Sequence, residues 1–194
     1  MRRFRDQEYW GKPLPGFGDI NAELLVVGLA PAAHGGTRVG RMFTGDSSAD
    51  WLVRALYETG FANQPVSESK NDGLVLTNAY WTNPVRCAPP QNKPTAEEMN
   101  TCRPYMEQEI KLMKNLKVLV ALGKIGFDNT CKVYQIRGLK FGHNVLHELP
   151  DGKKLLASYH PSKQNTQTGR LKWEDWLSIF VRVNDIIKND ESAV

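Results

Sequence analysis

Four short apolar runs, at residues 23–28, 73–80, 117–123 and 154–159, constrain this chain more than any other feature. They are rich in Leu, Val and Ala and barely alternate with polar residues. A strand with one wet face alternates, whereas a strand covered on both faces reads as a continuous apolar run. The segments between them carry helix signals. Asp46-Ser-Ser48 can cap a helix with Trp51, Leu52, Ala55 and Leu56 on its apolar face, stopping at Gly60. Thr95 and Glu98 form a capping box for a helix running to about Leu116, another helix starts near Ile125, and a last one spans about 173–187 with Trp176, Phe180 and Val183 at core spacing. Strands alternating with helices at this rhythm predict an α/β fold: a three-layer α/β/α sandwich on a mainly parallel central sheet of about four strands. Residues 144–149 and 154–159 flank Pro150-Asp-Gly152, a turn signal that makes them a hairpin and leaves the pairing of the fourth strand open.

At 194 residues the chain reads as one domain, long enough to bury a core without staples. Residues 1–22 read as an irregular arm anchored by Trp10 and Phe17. No run approaches the roughly 18 apolar residues of a membrane span, and residues 1–10 lack the apolar stretch of a signal peptide, so the expectation is an intracellular protein with no membrane contact. Three cysteines in that setting argue against a disulfide framework, and Cys131 reads as a small buried hydrophobe.

The net charge of +4 and pI near 8.9 permit binding to a polyanion without requiring it. Placement says more. Arg38, Arg41, Arg86, Lys93, Lys163, Arg170 and Lys172 lie in or beside three loops, at 28–46, 82–90 and 160–171, each of which follows an apolar run. A solvated basic surface is the alternative reading of the same residues. Loops leaving the carboxyl ends of parallel strands gather on one rim, where ligands bind. The first loop matches neither a dinucleotide fingerprint nor a phosphate-binding P-loop. It brings backbone close to something, with Phe43 at its far end either packing in the core or stacking on a flat ligand. The Asn83 carboxamide, with an acceptor and two donors, complements a pyrimidine's N3–H and O4 edge, although an Asn at this point also suits a turn. His160 precedes Pro161, which favours an extended backbone, and opens a polar, basic loop suited to a sugar-phosphate backbone.

Gly28-Leu-Ala-Pro-Ala-Ala-His-Gly35 through Gly40-Arg-Met-Phe-Thr-Gly-Asp46, Asn83 four positions before Cys87, and His160-Pro-Ser162 with Thr168-Gly-Arg-Leu171 together resemble the family 5 (type b) uracil-DNA glycosylases, over nearly the whole chain from Phe4 onward. Other glycosylase families place a carboxylate or Asn where this chain has Leu29-Ala30. The resemblance implies a monomeric, monofunctional glycosylase of base-excision repair, active at the nucleoid. It would excise uracil, and also hypoxanthine or other damaged bases, from double-stranded and alternatively single-stranded DNA. It implies a base pocket of Gly28, Ala30, Pro31, Phe43 and Asn83, with Phe43 stacking on the flipped base and Asn83 on its pairing edge. His160 would stabilise charge on the departing base, and Ser162, Lys163, Asn165, Thr166 and Arg170 would hold the strand. Asp46 leads the side chains that could position water, ahead of His34 and Thr37, with helix capping as its other job. The apolar Leu29-Ala30 keeps a non-catalytic DNA- or nucleotide-binding module as the alternative.

The family also carries a four-iron, four-sulfur cluster on four cysteines. Cys87 and Cys102 match the later pair, and nothing matches the earlier one. The favoured expectation is that the missing pair lies upstream of Met1, and the alternative is a member without the cluster.

Overall fold

The computed structural model describes residue 4 and residues 6–191. Residues 1–3 and 5 of the expected arm lie outside the described residues. The elements in chain order are β1 (Phe17–Gly18), β2 (Leu24–Val27), α1 (Gly36–Val39), α2 (Ser47–Glu58), β3 (Ala79–Thr82), α3 (Ala96–Leu112), β4 (Val118–Leu122), α4 (Gly123–Val133), β5 (Val145–Glu148), β6 (Lys154–Ser158), α5 (Lys163–Gln167) and α6 (Trp173–Glu191).

Among the described residues one sheet runs in the order β1-β3-β2-β4-β6-β5. The inner strands β3, β2, β4 and β6 are mutually parallel, while β1 and β5 add antiparallel edges. The apolar runs explain the layering. Along β4, Val118, Val120 and Leu122 join the cluster that holds Leu52 and Leu56 of α2 and Trp176, Phe180 and Val183 of α6. Leu119 and Ala121 join the other, with Met106 of α3 and Phe127 of α4. Every β4 residue is thus buried, as the lack of alternation requires, and each buried Val or Leu stabilises the fold by roughly 1.5–3 kcal/mol. The hairpin places β6 against β4 in parallel and against β5 in antiparallel register, which settles the fourth strand.

The helix signals hold locally. Asp46 caps α2 by accepting from the Ser48 and Ala49 amides, and the Thr95–Glu98 box is closed in both directions. Cys131 is buried in the core of the α3/α4 face. Three expectations need correction. The run at 73–80 is not one strand: Leu76 bridges Ala62, then Asn78 turns the chain at φ +51 before β3 begins at Ala79. Asn78 also accepts from the Glu23 amide at 2.8 Å, so it registers β2 against β3. The helix from Thr95 stops at Leu112, short of Leu116. The arm is less irregular than expected, because Phe17 lies in β1 while Trp10 packs on the α2/α6 cluster. No helix among the described residues is long and apolar enough to cross a membrane.

Candidate active site

The four parallel strands end at one rim. Val27 pairs with Thr82 and with Ala121, and Leu122 with Ser158, so Gly28, Asn83, Gly123 and His160 leave the sheet side by side. The Gly28 amide donates to Thr82 O at 3.0 Å. A methyl group at Gly28 would lie 2.3 Å from Asn83 Oδ1 and 2.5 Å from Phe43 Cζ. Those two side chains therefore close over bare backbone, and any side chain at Gly28 would enter the space they share. Gly126, in the first turn of α4, rests against the other side: its Cβ would fall 2.7 Å from Gly28 O.

Asn83 is 2% exposed, and its Oδ1 has no hydrogen-bond partner among the described residues. Leaving a buried acceptor unmet costs roughly 1–3 kcal/mol, a cost that a bound donor would remove. Phe43 holds φ at +50, an unusual backbone for a bulky residue, and its ring packs 5.5 Å from that of Trp81. Ala30 is half-buried and Pro31 buried in the turn that follows Gly28.

His160 keeps a little exposed surface but is surrounded by protein on most sides, and this desolvation pushes its imidazole down to about 4. The ring is neutral near pH 7 and therefore has one N–H to donate and one nitrogen to accept. Its loop is braced from within. Asn165 Nδ2 and the Ser162 amide both donate to His160 O at 2.8 Å, Ser162 caps α5, and Thr166 Oγ1 donates to Ser162 O at 3.1 Å. Of the five residues read as strand contacts, Ser162, Asn165 and Thr166 thus shape the loop, while Lys163 and Arg170 stand exposed as cations.

Asp46 opens onto a groove of about 730 Å³ that also includes Gly35, Asp50, Glu68 and Lys163. Burial pushes its carboxyl up against the lowering effect of the capped amides and Lys163. Oδ1 is engaged by the cap, whereas a methyl at Gly35 would lie 2.4 Å from Oδ2, so Oδ2 faces the first loop. His34 is engaged by the Tyr9 hydroxyl at 2.6 Å, and Thr37 Oγ1 is buried without a partner among the described residues.

Two of the basic residues read as surface charge are internal ties. Arg41, 4% exposed, pairs with Asp72 at 2.7 Å and also donates to Thr44 and Ser67. Burial works to raise the Asp72 carboxyl, but Arg41 and the amides of Leu74, Glu68 and Ser69 hold it at about 2. Arg86 pairs with Glu109 at 2.6 Å. An arginine in a loop carries no sequence mark that separates the two fates.

A four-iron cluster takes four thiolates. Cys87 is exposed, and partial desolvation, then Cys102 and Glu98 nearby, push its thiol up. Among the described residues no group of three or more His, Cys, Asp or Glu converges, so the two neighbouring thiols do not fit such a cluster by themselves. Sequence reasoning missed Gly123, Gly126, Trp81, Tyr159 and His143, whose relevance lies in contacts across the chain. A separate hollow of about 480 Å³, lined by Tyr134, Asp151 and the end of α3, opens at the opposite end of the strands and shares no residue with this rim.

Residues 15–181 match the family model of the uracil DNA glycosylase superfamily. The chain is 46% identical to the type-5 uracil-DNA glycosylase of Thermus thermophilus, over 93% of this chain and 83% of that protein. It is 43% identical to the type-5 uracil-DNA glycosylase of Pyrobaculum aerophilum, over 94% and 80%. With the type-5 uracil-DNA glycosylase of Mycobacterium tuberculosis it shares 48% identity over 88% of this chain and 65% of that one.

Proposed function

The chain belongs to the uracil DNA glycosylase superfamily, and on that footing we propose that it is a monofunctional DNA glycosylase that hydrolyses the bond between uracil and its deoxyribose. The observation that carries the reading is the buried Asn83 carboxamide, unpartnered and closed against Gly28 and Phe43.

The base must leave the stack, at a cost of a few kcal/mol that is least for a mismatch. Phe43 then packs on its face, Gly28, Ala30 and Pro31 bound it with backbone and small side chains, and Asn83 pairs with its N3–H and O4 edge. As the C–N bond breaks, positive charge grows on the sugar and negative charge on the base. Neutral His160 donates its N–H to the base oxygen where that charge collects. By analogy with single oxyanion donors, such a bond lowers the barrier by on the order of 3 kcal/mol. Water adds to the sugar carbon and its proton goes to the departing base anion, while Asp46, through the oxygen left free by the helix cap, is the side chain that orients it. Lys163 and Arg170 hold the phosphates beside the vacated position.

Double-stranded DNA is the substrate of this reading, with single strands as the other form to assay and hypoxanthine as a second base. It takes the chain as one domain, monomeric, working at the nucleoid. The iron–sulfur cluster belongs to the proposal as well: Cys87 and Cys102 are the thiols it would use, and it needs two thiolates beyond that pair. Iron and sulfide analysis of the purified protein tests it.

The deciding assay is incubation with a duplex carrying one uracil, followed by alkaline cleavage of the strand. Cleavage at the uracil that is lost in His160→Ala supports the reading. Binding without cleavage would make the chain a recognition module instead.

A further inference from the structure

The strand that delivers His160 is held by a second histidine from another part of the chain. His143 lies just before β5, 15 residues from Ser158 and 16 from Tyr159 along the chain. Its Nδ1 accepts from the Tyr159 amide at 3.3 Å and lies 3.2 Å from Ser158 Oγ. An amide can only donate, so Nδ1 is the bare nitrogen and the ring carries its proton on Nε2. The imidazole also stacks on the Tyr159 ring, with centroids 5.2 Å apart and planes 27° from parallel. The Arg170 guanidinium lies over that same Tyr159 ring, 4.6 Å from its centroid. Tyr159 immediately precedes His160, and Arg170 closes the loop that His160 opens. One imidazole therefore fixes the backbone entering the loop and supports the ring on which the loop's last cation rests.

We propose that His143 is a positioning residue for DNA binding: it holds the Tyr159 ring so that Arg170 is set in place before it meets a phosphate. The inference rests on the reading of Arg170 as a phosphate contact. A guanidinium on a long stem loses rotamer freedom when it binds, and a ring held beneath it at cation–π distance removes part of that loss beforehand; without the ring the contact no longer outweighs its ordering cost, and Arg170 stays solvated in the complex. His143 itself touches no substrate in this account and acts only through Tyr159.

Salt dependence of affinity reads this role, since each phosphate contact adds about 0.9 to the slope of log K against log salt, and a general loss of packing does not change that count. The probe is a duplex bearing a tetrahydrofuran abasic analogue, titrated between 50 and 200 mM salt with the full chain below its melting transition. Arg170→Ala should make the slope shallower by about one contact. His143→Asn keeps an acceptor where Nδ1 stood and removes the stacked ring, so it folds with the Tyr159 amide still satisfied. It should lose affinity several-fold and lose most of the same slope, on the order of one contact at most. The double variant should be no shallower than Arg170→Ala alone, the non-additivity expected of two residues on one path. A His143→Asn slope equal to wild type while Arg170→Ala is shallower overturns the inference and leaves the phosphate reading standing, as do additive slopes in the double variant. An Arg170→Ala slope equal to wild type removes Arg170 from the DNA face and takes the inference down with it.

Discussion

Arg41 and Asn83 are buried polar side chains on successive loops of the same rim, and the fold treats them in opposite ways. Around Arg41 the guanidinium meets Asp72, Ser67 and Thr44, and Asp72 in turn receives the amides of Glu68, Ser69 and Leu74. Around Asn83, Oδ1 meets nothing among the described residues, and Thr37 Oγ1 on the first loop is likewise bare. A folded chain tends to pair the polar groups it buries, so the acceptor left unmet at Asn83 is free for a donor that the described residues do not supply, which is the role proposed for it. Paired and unpaired regions should therefore fail in different experiments.

Arg41→Ala is expected to have the largest effect on folding. Removing one partner of a buried pair strands the other, which costs about 3–5 kcal/mol. Urea denaturation should show that loss, while the single-turnover rate per folded molecule stays near wild type. A rate loss matching that of the rim variants would erase the distinction between the two regions. His160→Ala reverses the pattern. Excision should slow by tens-fold or more with affinity for uracil DNA nearly intact, because the bond to the base strengthens as charge develops. Equal loss of rate and affinity would make His160 an ordinary contact.

Asn83→Ala should slow excision and change the ratio of uracil to hypoxanthine removal, and because it deletes an orphan acceptor it should leave the denaturation midpoint unchanged or raised. A lowered midpoint would show that Asn83 is satisfied in solution. The smallest effect is on pH. His160 is held at about 4 by desolvation, below its ordinary 6.5, so as pH falls from 6.5 toward 4 the unfolded chain takes up a proton that the folded one refuses, and stability drops. Burial also pushes His143 down, with the same sign. Asp72, held at about 2 against an ordinary 3.8, contributes only in the more acidic window, where its stabilisation is lost as pH falls from 3.8 toward 2. Thermal melts should show the two declines in that order, and His160→Ala should flatten the first alone. An unchanged first decline in that variant would mean that His160 is not desolvated.

Much of the layering was legible because β4 and β2 are buried on both faces and say so in every residue. The capping box at Thr95 and the cap at Asp46 are local chemistry and could be read from spacing. The run at 73–80 misled because Leu74 and Leu76 are buried without being in a strand, and apolar content does not register the left-handed turn at Asn78. That Gly28, Asn83 and His160 share one rim followed from topology once the strands were taken as parallel; Phe43 and Asn83 meet over Gly28, while His160 stands against Gly123 further along the rim. What escaped was pairing at a distance: nothing near Arg41 in the chain announces Asp72, and nothing near His143 announces Tyr159.

For anyone wishing to redesign the pocket, Gly28 acts as a ratchet. Glycine is already the smallest residue there is, so every substitution at Gly28 can only crowd Phe43 and Asn83 in the proposed base pocket. Broadening it toward bulkier lesions has to proceed through the ring or the carboxamide, the same two groups that would grip and read the base. Tolerance of larger bases and fidelity for uracil are thereby tied to the same side chains, and selection for one in the laboratory should be visible first as erosion of the other.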